Sequence, residues 1–206
     1  MSIDELALIE PLSIGCHAVG RAEINPGDDV LVVGAGPIGI GIIQYARLAG
    51  ARVIVMDSNA HRLDFVKEVL GIPDSINVTT QNALEVLSTM TNTSMASIVF
   101  DATGNLTAIN NSFRYLAHAG KYVLVGLQLE AISFSHPEFH KREATLMSSR
   151  NATRVDFEKV IDSIKNGAIN PNAIITHKLA FDTVVSDFSS LTQSGQHVIK
   201  ALINID

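Results

Sequence analysis

Short runs of β-branched and other apolar residues alternate along the chain with stretches whose apolar positions recur every three or four residues. The runs at 30–33, 52–56, 75–78, 97–100, 121–126 and 145–148 are too short for helices and are bounded by glycine, proline or acidic residues, so they predict strands. Between them the spacing predicts helices at 37–48, 59–70, 82–90, 106–117 and 136–143, and 131–134 reads as a further strand-like piece. A lead-in helix is expected over 10–22, with Pro11 in its first turn. Strands alternating with helices imply a parallel sheet covered on both faces, and right-handed crossovers favour the order 3-2-1-4-5-6. The predicted fold is therefore α/β, a doubly wound six-stranded Rossmann sheet.

After Arg150 the alternation changes. A helix at 155–166, a strand at 174–179, a helix that Asp182 caps and that runs to 193, and a final strand at 197–205 form an expected helix/strand appendix without the repeating βα unit. The expected division is a lead-in segment at 1–22, a dinucleotide-binding domain at 23–149 and a C-terminal return at 150–206.

The chemistry concentrates in residues 29–57. The strand ends at Gly34, and the turn Gly34-Ala-Gly36-Pro37-Ile38-Gly39 opens a helix. Gly34 permits the sharp turn, Gly36 lets backbone approach a pyrophosphate, and Gly39 lets the helix lie close to the strand, while the helix N-terminus offers free N–H groups to an anion. Pro37 and Ile38 complete this candidate cofactor-binding segment. Asp57 ends the second strand, where a carboxylate accepts the ribose hydroxyls of adenosine and repels a 2′-phosphate, so NAD is expected over NADP. A glycine motif with strand, helix, strand and acid in register is far more specific than the motif alone. Thr103 and Gly126 end later strands and fall on the same expected edge as Gly34 and Asp57. Arg62 is read either as packing over the adenine or as a solvated helix arginine.

Composition narrows the class. A net charge of −6 and no basic run give no attraction toward nucleic acid or anionic membrane. Cys16 is the one cysteine, which excludes an internal disulfide and fits a reducing compartment. With no long apolar run, and with acids near Met1 where a signal peptide carries positive charge, a cytoplasmic protein without a membrane partner is expected. Cys16 and His17 are adjacent, so on a helix they diverge and cannot pinch one ion; a buried thiol beside a helix histidine is expected. His118, His136, His140, His177 and His197 read as surface or strand-end residues.

Several segments resemble the zinc-dependent medium-chain dehydrogenases, in particular their polyol, threonine and sugar-acid (galactonate-type) branch. They are Ala7-Leu-Ile-Glu10-Pro-Leu-Ser-Ile-Gly15, Asp57-Ser-Asn-Ala-His-Arg62, Thr145-Leu-Met-Ser-Ser-Arg150, Ile174-Ile-Thr-His177 and Val198-Ile-Lys-Ala-Leu-Ile. The resemblance implies hydride transfer between NAD(H) and an alcohol carbon, with a catalytic zinc polarising the substrate oxygen. It further implies backbone contacts from Thr103, Val125 and Gly126 to the nicotinamide half of the cofactor, a substrate-proximal Arg150, and a metal-linked Glu10. Asn151 stands where that branch has a tyrosine, so the identity of a small alcohol or sugar-acid substrate does not carry over. Members of the family carry a further zinc-ligand domain ahead of the segment matching Glu10, so the sequence reads as the cofactor-binding half of such an enzyme, inactive alone, with zinc expected to be absent. Family members pair through the strands matching 131–135 and 145–148, which implies a homo-oligomer. The competing readings are a non-catalytic NAD-binding or redox-sensing module and a methyltransferase.

Overall fold

The structure, a computed structural model, describes residues 1–193 and 195–205. The chain starts on helix α1 (Ile3–Ala22), whose beginning is set by a reciprocal cap: the Glu5 amide donates to Ser2 Oγ at 3.2 Å and the Ser2 amide to a Glu5 carboxylate oxygen at 2.6 Å. The helix thus begins well before the expected residue 10, and Pro11 lies in its interior rather than its first turn. A proline there cannot donate to the carbonyl four residues earlier, but the surrounding helix is long, capped and packed against the sheet domain.

The expected alternation follows as β1 (Asp29–Val33), α2 (Pro37–Leu48), β2 (Arg52–Asp57), α3 (Ala60–Glu68), β3 (Ser75–Asn77), α4 (Ala83–Met90), β4 (Ala96–Asp101), α5 (Leu106–Ser112), β5 (Leu116–Leu124), α6 (His136–Lys141) and β6 (Thr145–Ser148). The six strands form one parallel sheet in the order β3-β2-β1-β4-β5-β6. Side chains alternate between two cores, as the two-residue period of a strand requires. Val30, Val32, Val53, Val55 and Phe100 pack toward α1, α2, α3 and α7 (Arg154–Lys165), while Leu31, Val33, Ile54, Met56 and Tyr122 pack toward α4 and the segment after α5.

Two boundaries differ from expectation. The helix predicted to reach 117 stops at Ser112 and gives way to one 3-10 turn, Phe113–Tyr115, because β5 already begins at Leu116. That strand pairs at Ala96↔Leu116 and again at Ile98↔Lys121, and the extra residues between are taken up by a bulge in which Ala119 has φ +57°. Residues 131–135 form no strand; Phe134 instead stacks on Phe113 at 4.4 Å, and β6 alone closes that edge of the sheet.

The tail also departs from expectation. Strand β7 (Ile175–Ala180), helix α8 (Val184–Leu191) and strand β8 (Lys200–Asn204) make a parallel two-stranded sheet joined by a helix, which is itself a βαβ unit. Parallel neighbours need such a crossover. Asp182 sits in a 3-10 turn and Thr183, not Asp182, is the N-cap of α8. The Lys178–Asp4 ion pair and the bond from Asn172 Nδ2 to Glu5 Oε1 tie this unit to the start of α1.

Helix α1 crosses α2 where neither backbone carries a side chain. A Cβ on Gly15 would lie 2.5 Å from the Gly41 carbonyl carbon, so the two helices approach at glycine-only separation. Against α7, His17 Nδ1 lies 2.8 Å from Asp156 Oδ2, and the same carboxylate closes the α7 capping box by accepting the Thr153 amide at 2.8 Å and its hydroxyl at 2.6 Å. Burial works against the Asp156 charge, but the Thr153 bonds and His17 outweigh it and hold the carboxyl below its ordinary value of 3.8. The neighbouring thiol moves the other way: burial, with Asp156 beside it, pushes Cys16, buried as expected, up to about 11.

A depressed carboxyl contributes stability that is complete above its unfolded pKa and is lost as pH falls through the lower folded value. Chemical denaturation between pH 6 and pH 2 is therefore expected to show part of the acid loss, beginning near the ordinary value of 3.8, disappear in Asp156→Asn. An unchanged acid profile in that variant would remove the α1–α7 clamp from the stability of the fold.

Candidate dinucleotide site

All six parallel strands point their carboxyl ends to one edge, and the crevice of such a sheet lies where the order reverses, between β1 and β4. At that point Gly34 leaves β1 with φ +101°, and its amide donates to the Met56 carbonyl at 2.7 Å. Helix α2 then starts so close that a Cβ on Gly39 would lie 1.8 Å from the Gly34 carbonyl oxygen. Gly36 is the N-cap and supplies no side-chain bond to the first-turn amides, with Pro37 at the first helical position. A Cβ on Gly36 would meet nothing nearer than Arg62 Nη1 at 3.9 Å, so the approach to these amides is open.

Asp57 is buried at the end of β2, and both of its oxygens are held by backbone. Oδ2 accepts the Ala35 amide at 2.7 Å and Oδ1 accepts the Asn59 amide at 2.8 Å. The Ala35 bond ties the acid to the glycine turn itself. Arg62 is delivered by α3, whose N-cap Asn59 accepts the His61 and Arg62 amides, and its Nη1 lies 3.8 Å from Asp57 Oδ2. Arg62 therefore lines the site beside Asp57 and is not a freely solvated helix arginine.

Gly34, Gly36, Asp57, Arg62 and Thr103 line one open groove of about 570 Å³, within the range of small-molecule sites. Pro37, Ile38 and Gly39 form the helix start beside it. Val125 and Gly126 come directly after β5 on the same edge, their amides both donating to the Asp101 carbonyl at 2.9 Å. Arg150 lies just past β6 on that edge, exposed and outside the groove, next to Ser149, whose buried Oγ has no hydrogen-bond partner among the described residues. Glu10 lies exposed in the middle of α1, whose first turn is occupied by Asp4 and Glu5.

The groove also takes residues not singled out from sequence. Met56 and Val78 supply apolar wall from the strand ends, and Ala108, Asn111 and Tyr115 supply the α5 side. Ala108 and Asn111 share one face of α5, and Tyr115 comes from the 3-10 turn that follows it, so only the folded crevice brings the three together. Asp101 is the other omission. It is fully buried, and burial raises its pKa although the Thr103 hydroxyl and the Gly104 and Thr103 amides pull it back.

A catalytic zinc requires about three protein ligands and an open position. Among the described residues no group of three or more His, Cys, Asp or Glu side chains is arranged to hold a metal ion, and Glu10 does not gather one. The donor set of the described residues does not by itself fit that zinc. No helix among the described residues is long and apolar enough to cross a membrane.

The comparisons with known proteins agree with this geometry. Residues 37–166 match the family model described as zinc-binding dehydrogenase, and the chain belongs to that family. It is 41% identical over 197 residues to L-galactonate-5-dehydrogenase of Escherichia coli K12, covering 96% of this chain and 58% of that protein. It is 26% identical over 205 residues to sorbitol dehydrogenase of Bacillus subtilis 168, covering 98% of this chain and again 58% of the relative. Among solved structures, an oxidoreductase/dehydrogenase of unknown specificity from Escherichia coli superposes with a TM-score of 0.93 at 25% identity, over 100% of this chain and 59% of the other. An alcohol dehydrogenase from Escherichia coli CFT073, complexed with NADH, superposes with a TM-score of 0.90 at 28% identity over 100% of this chain and 60% of the other. The chain thus spans under two thirds of the length of these relatives.

The two glycines of the helix start separate by geometry. Gly39→Ala must displace backbone and is expected to lower Tm by about 3–10 °C, the equivalent of roughly 1–3 kcal/mol in a chain of this size. Gly36→Ala is expected to leave Tm within about 2 °C, since its Cβ enters open space. Calorimetric melts of the two variants check this, and equal shifts would contradict the turn geometry.

Proposed function

We propose that this chain is the NAD(H)-binding part of a zinc-type dehydrogenase acting on a secondary alcohol of a sugar acid or polyol. The observation that carries the cofactor reading is the state of Asp57. An ionised carboxylate offers about four acceptor positions, and the Ala35 and Asn59 amides take one on each oxygen. Each oxygen keeps capacity for one ribose hydroxyl, on a group already oriented before any ligand arrives. A 2′-phosphate would place negative charge against that fixed anion, so NAD is favoured over NADP.

The remaining roles are distributed along the groove. The open amides at the start of α2, reached over Gly36, take the pyrophosphate. Arg62 flanks the adenosine. Thr103, Val125 and Gly126 offer backbone to the nicotinamide half, and Arg150 lies toward the substrate. When bound, the nicotinamide supplies the hydride acceptor, and this chain's residues orient it. Residues 1–22 serve as the segment entering the cofactor domain, 23–149 as that domain and 150–206 as its C-terminal return. The substrate class rests on the likeness to L-galactonate-5-dehydrogenase and sorbitol dehydrogenase, and zinc chemistry would need ligands beyond Glu10. Association into a homo-oligomer through β6 is supported by that strand's place at the sheet edge, where an unpaired ladder is a template for a second copy.

Calorimetric titration of NADH and NADPH into the 206-residue chain tests the cofactor assignment. The chain is expected to bind NADH more tightly than NADPH. Asp57→Ala is expected to weaken NADH by about 10- to 100-fold, the worth of hydrogen bonds to a charged group, with a smaller loss for NADPH. Equal losses for the two cofactors would sink the assignment.

A further inference from the structure

We infer that Asp101 is a positioning residue that fixes the nicotinamide half of the groove by holding Thr103, Gly104, Val125 and Gly126 as one rigid platform. The inference rests on the NAD(H) reading above and adds to it a residue that touches no cofactor.

Asp101 ends β4 with no solvent exposure. Its Oδ1 accepts the Thr103 amide at 3.1 Å and the Gly104 amide at 3.1 Å, and its Oδ2 accepts the Thr103 hydroxyl at 2.9 Å. Its carbonyl accepts the Val125 and Gly126 amides, both at 2.9 Å. One residue therefore gathers the backbone just past β4 and the backbone just past β5. Thr103 Oγ1 passes the connection on by accepting the Asn105 amide at 3.0 Å, and Asn105 caps α5.

The two loops are also locked sterically. A Cβ on Gly126 would stand 2.3 Å from the Gly104 nitrogen and 3.1 Å from Asp101 Oδ1, and one on Gly104 would stand 2.6 Å from the Leu127 carbonyl oxygen. Gly104 has φ +61°, a conformation that glycine adopts without a side-chain penalty.

A buried carboxylate is costly unless it is fully hydrogen-bonded, and an apolar or amide side chain would serve a core position more cheaply. What a carboxylate offers here is acceptors alone: two amides and a hydroxyl converge on it, and it presents no donor to any of them. The pyrophosphate turn across the crevice is built differently, by sterics at Gly34 and Gly39, and among the described residues it donates no hydrogen bond to the Asp101 carboxylate; it meets this platform only by packing, Thr103 Cγ2 lying 3.0 Å from where a Cβ on Gly34 would stand. Loosening Asp101 should therefore damage one half of the groove and spare the other.

The test compares NADH with ADP-ribose, which shares the adenosine and pyrophosphate but lacks nicotinamide, by titration calorimetry on the full 206-residue chain. Asp101→Ala is expected to weaken NADH at least about tenfold while ADP-ribose stays within about twofold, as expected when hydrogen bonds to a charged group are lost on one side only. Asp101→Asn, which retains an acceptor oxygen for the two amides, should give an intermediate loss. Thr103→Val should show the same selectivity and keeps the test decisive if the alanine variant does not fold. Bound-NADH fluorescence should fall in the same order.

Equal weakening of both ligands would make Asp101 a general stabiliser and overturn the inference, as would unchanged NADH binding in all three variants. A wild-type chain that binds ADP-ribose as tightly as NADH would also overturn it, because the platform would then hold nothing. Failure of the wild type to bind either ligand would instead bring down the NAD(H) reading, and this inference with it.

Discussion

The carboxyl edge of this sheet depends on one close approach, the passage of Gly39 against the carbonyl of Gly34. A side chain at position 39 would have to occupy a point 1.8 Å from that oxygen, so the helix can begin where it does only with glycine present. The position of that helix then determines the rest. Its N-cap is Gly36, which has no side chain to occupy its own first-turn amides, and its start faces the crevice between β1 and β4. The Ala35 amide, inside the same turn, is directed to Asp57, so the acid and the turn cannot move independently. An anion site at a helix start and a fixed acceptor at the neighbouring strand end thus come from one packing constraint.

Two acids end strands on this edge, and the structure uses them in opposite ways. Asp57 accepts one amide on each oxygen and lines the groove with capacity to spare. Asp101 is sealed beneath its own loop, its oxygens occupied by Thr103 and Gly104. The same residue type thus lines the groove at the end of β2 and is sealed beneath its own loop at the end of β4. The difference lies in the residues immediately after each acid. Ser58 and Asn59 lead directly into α3 and leave the carboxylate uncovered, whereas Thr103 and Gly104 fold back over theirs.

Much of the fold was legible because it is written in short-range pattern. The buried parallel strands are apolar runs, and their alternation with amphipathic helices leaves few arrangements besides the one observed, order 3-2-1-4-5-6. The family resemblance was equally legible and agrees with the match over 37–166. The features that escaped depend on contacts rather than pattern. The start of α1 was obscured because Pro11 looks like a helix opener, while the reciprocal Ser2–Glu5 cap that sets the boundary lies well ahead of the expected start at 10. The early start of β5 hides behind a bulge at Ala119, and Ala131–Phe134 has strand-like composition but spends its aromatic ring on Phe113. The parallel pairing of β7 with β8 could not be seen because neither strand repeats the spacing of the main sheet. In the groove, the glycines and Asp57 were readable from motif, but the α5 face at Ala108, Asn111 and Tyr115 needed a three-dimensional crevice to gain meaning.

The two halves of the groove differ in what rigidifies them, and this bears on how such a chain can work with a second set of residues. The side at the start of α2 is set by close packing at Gly34 and Gly39 together with the bond from the Ala35 amide to Asp57. The nicotinamide half is set by hydrogen bonds to one buried acid whose charge is opposed by its burial and secured by its neighbours. Packing at Gly39 fixes the start of α2, while the network centred on Asp101 fixes the backbone at Thr103, Gly104, Val125 and Gly126. On the reading proposed above, hydride transfer needs its reacting atoms held in a narrow range of positions, which is what a rigid backbone platform supplies. The Asp101 network sits on the edge where Arg150 and the buried Ser149 hydroxyl also stand. The two sides meet at the β1–β4 boundary, where the Ala102 amide donates to the Val33 carbonyl at 2.8 Å and a Cβ on Gly34 would stand 3.0 Å from Thr103 Cγ2, so the turn and the platform are built against each other.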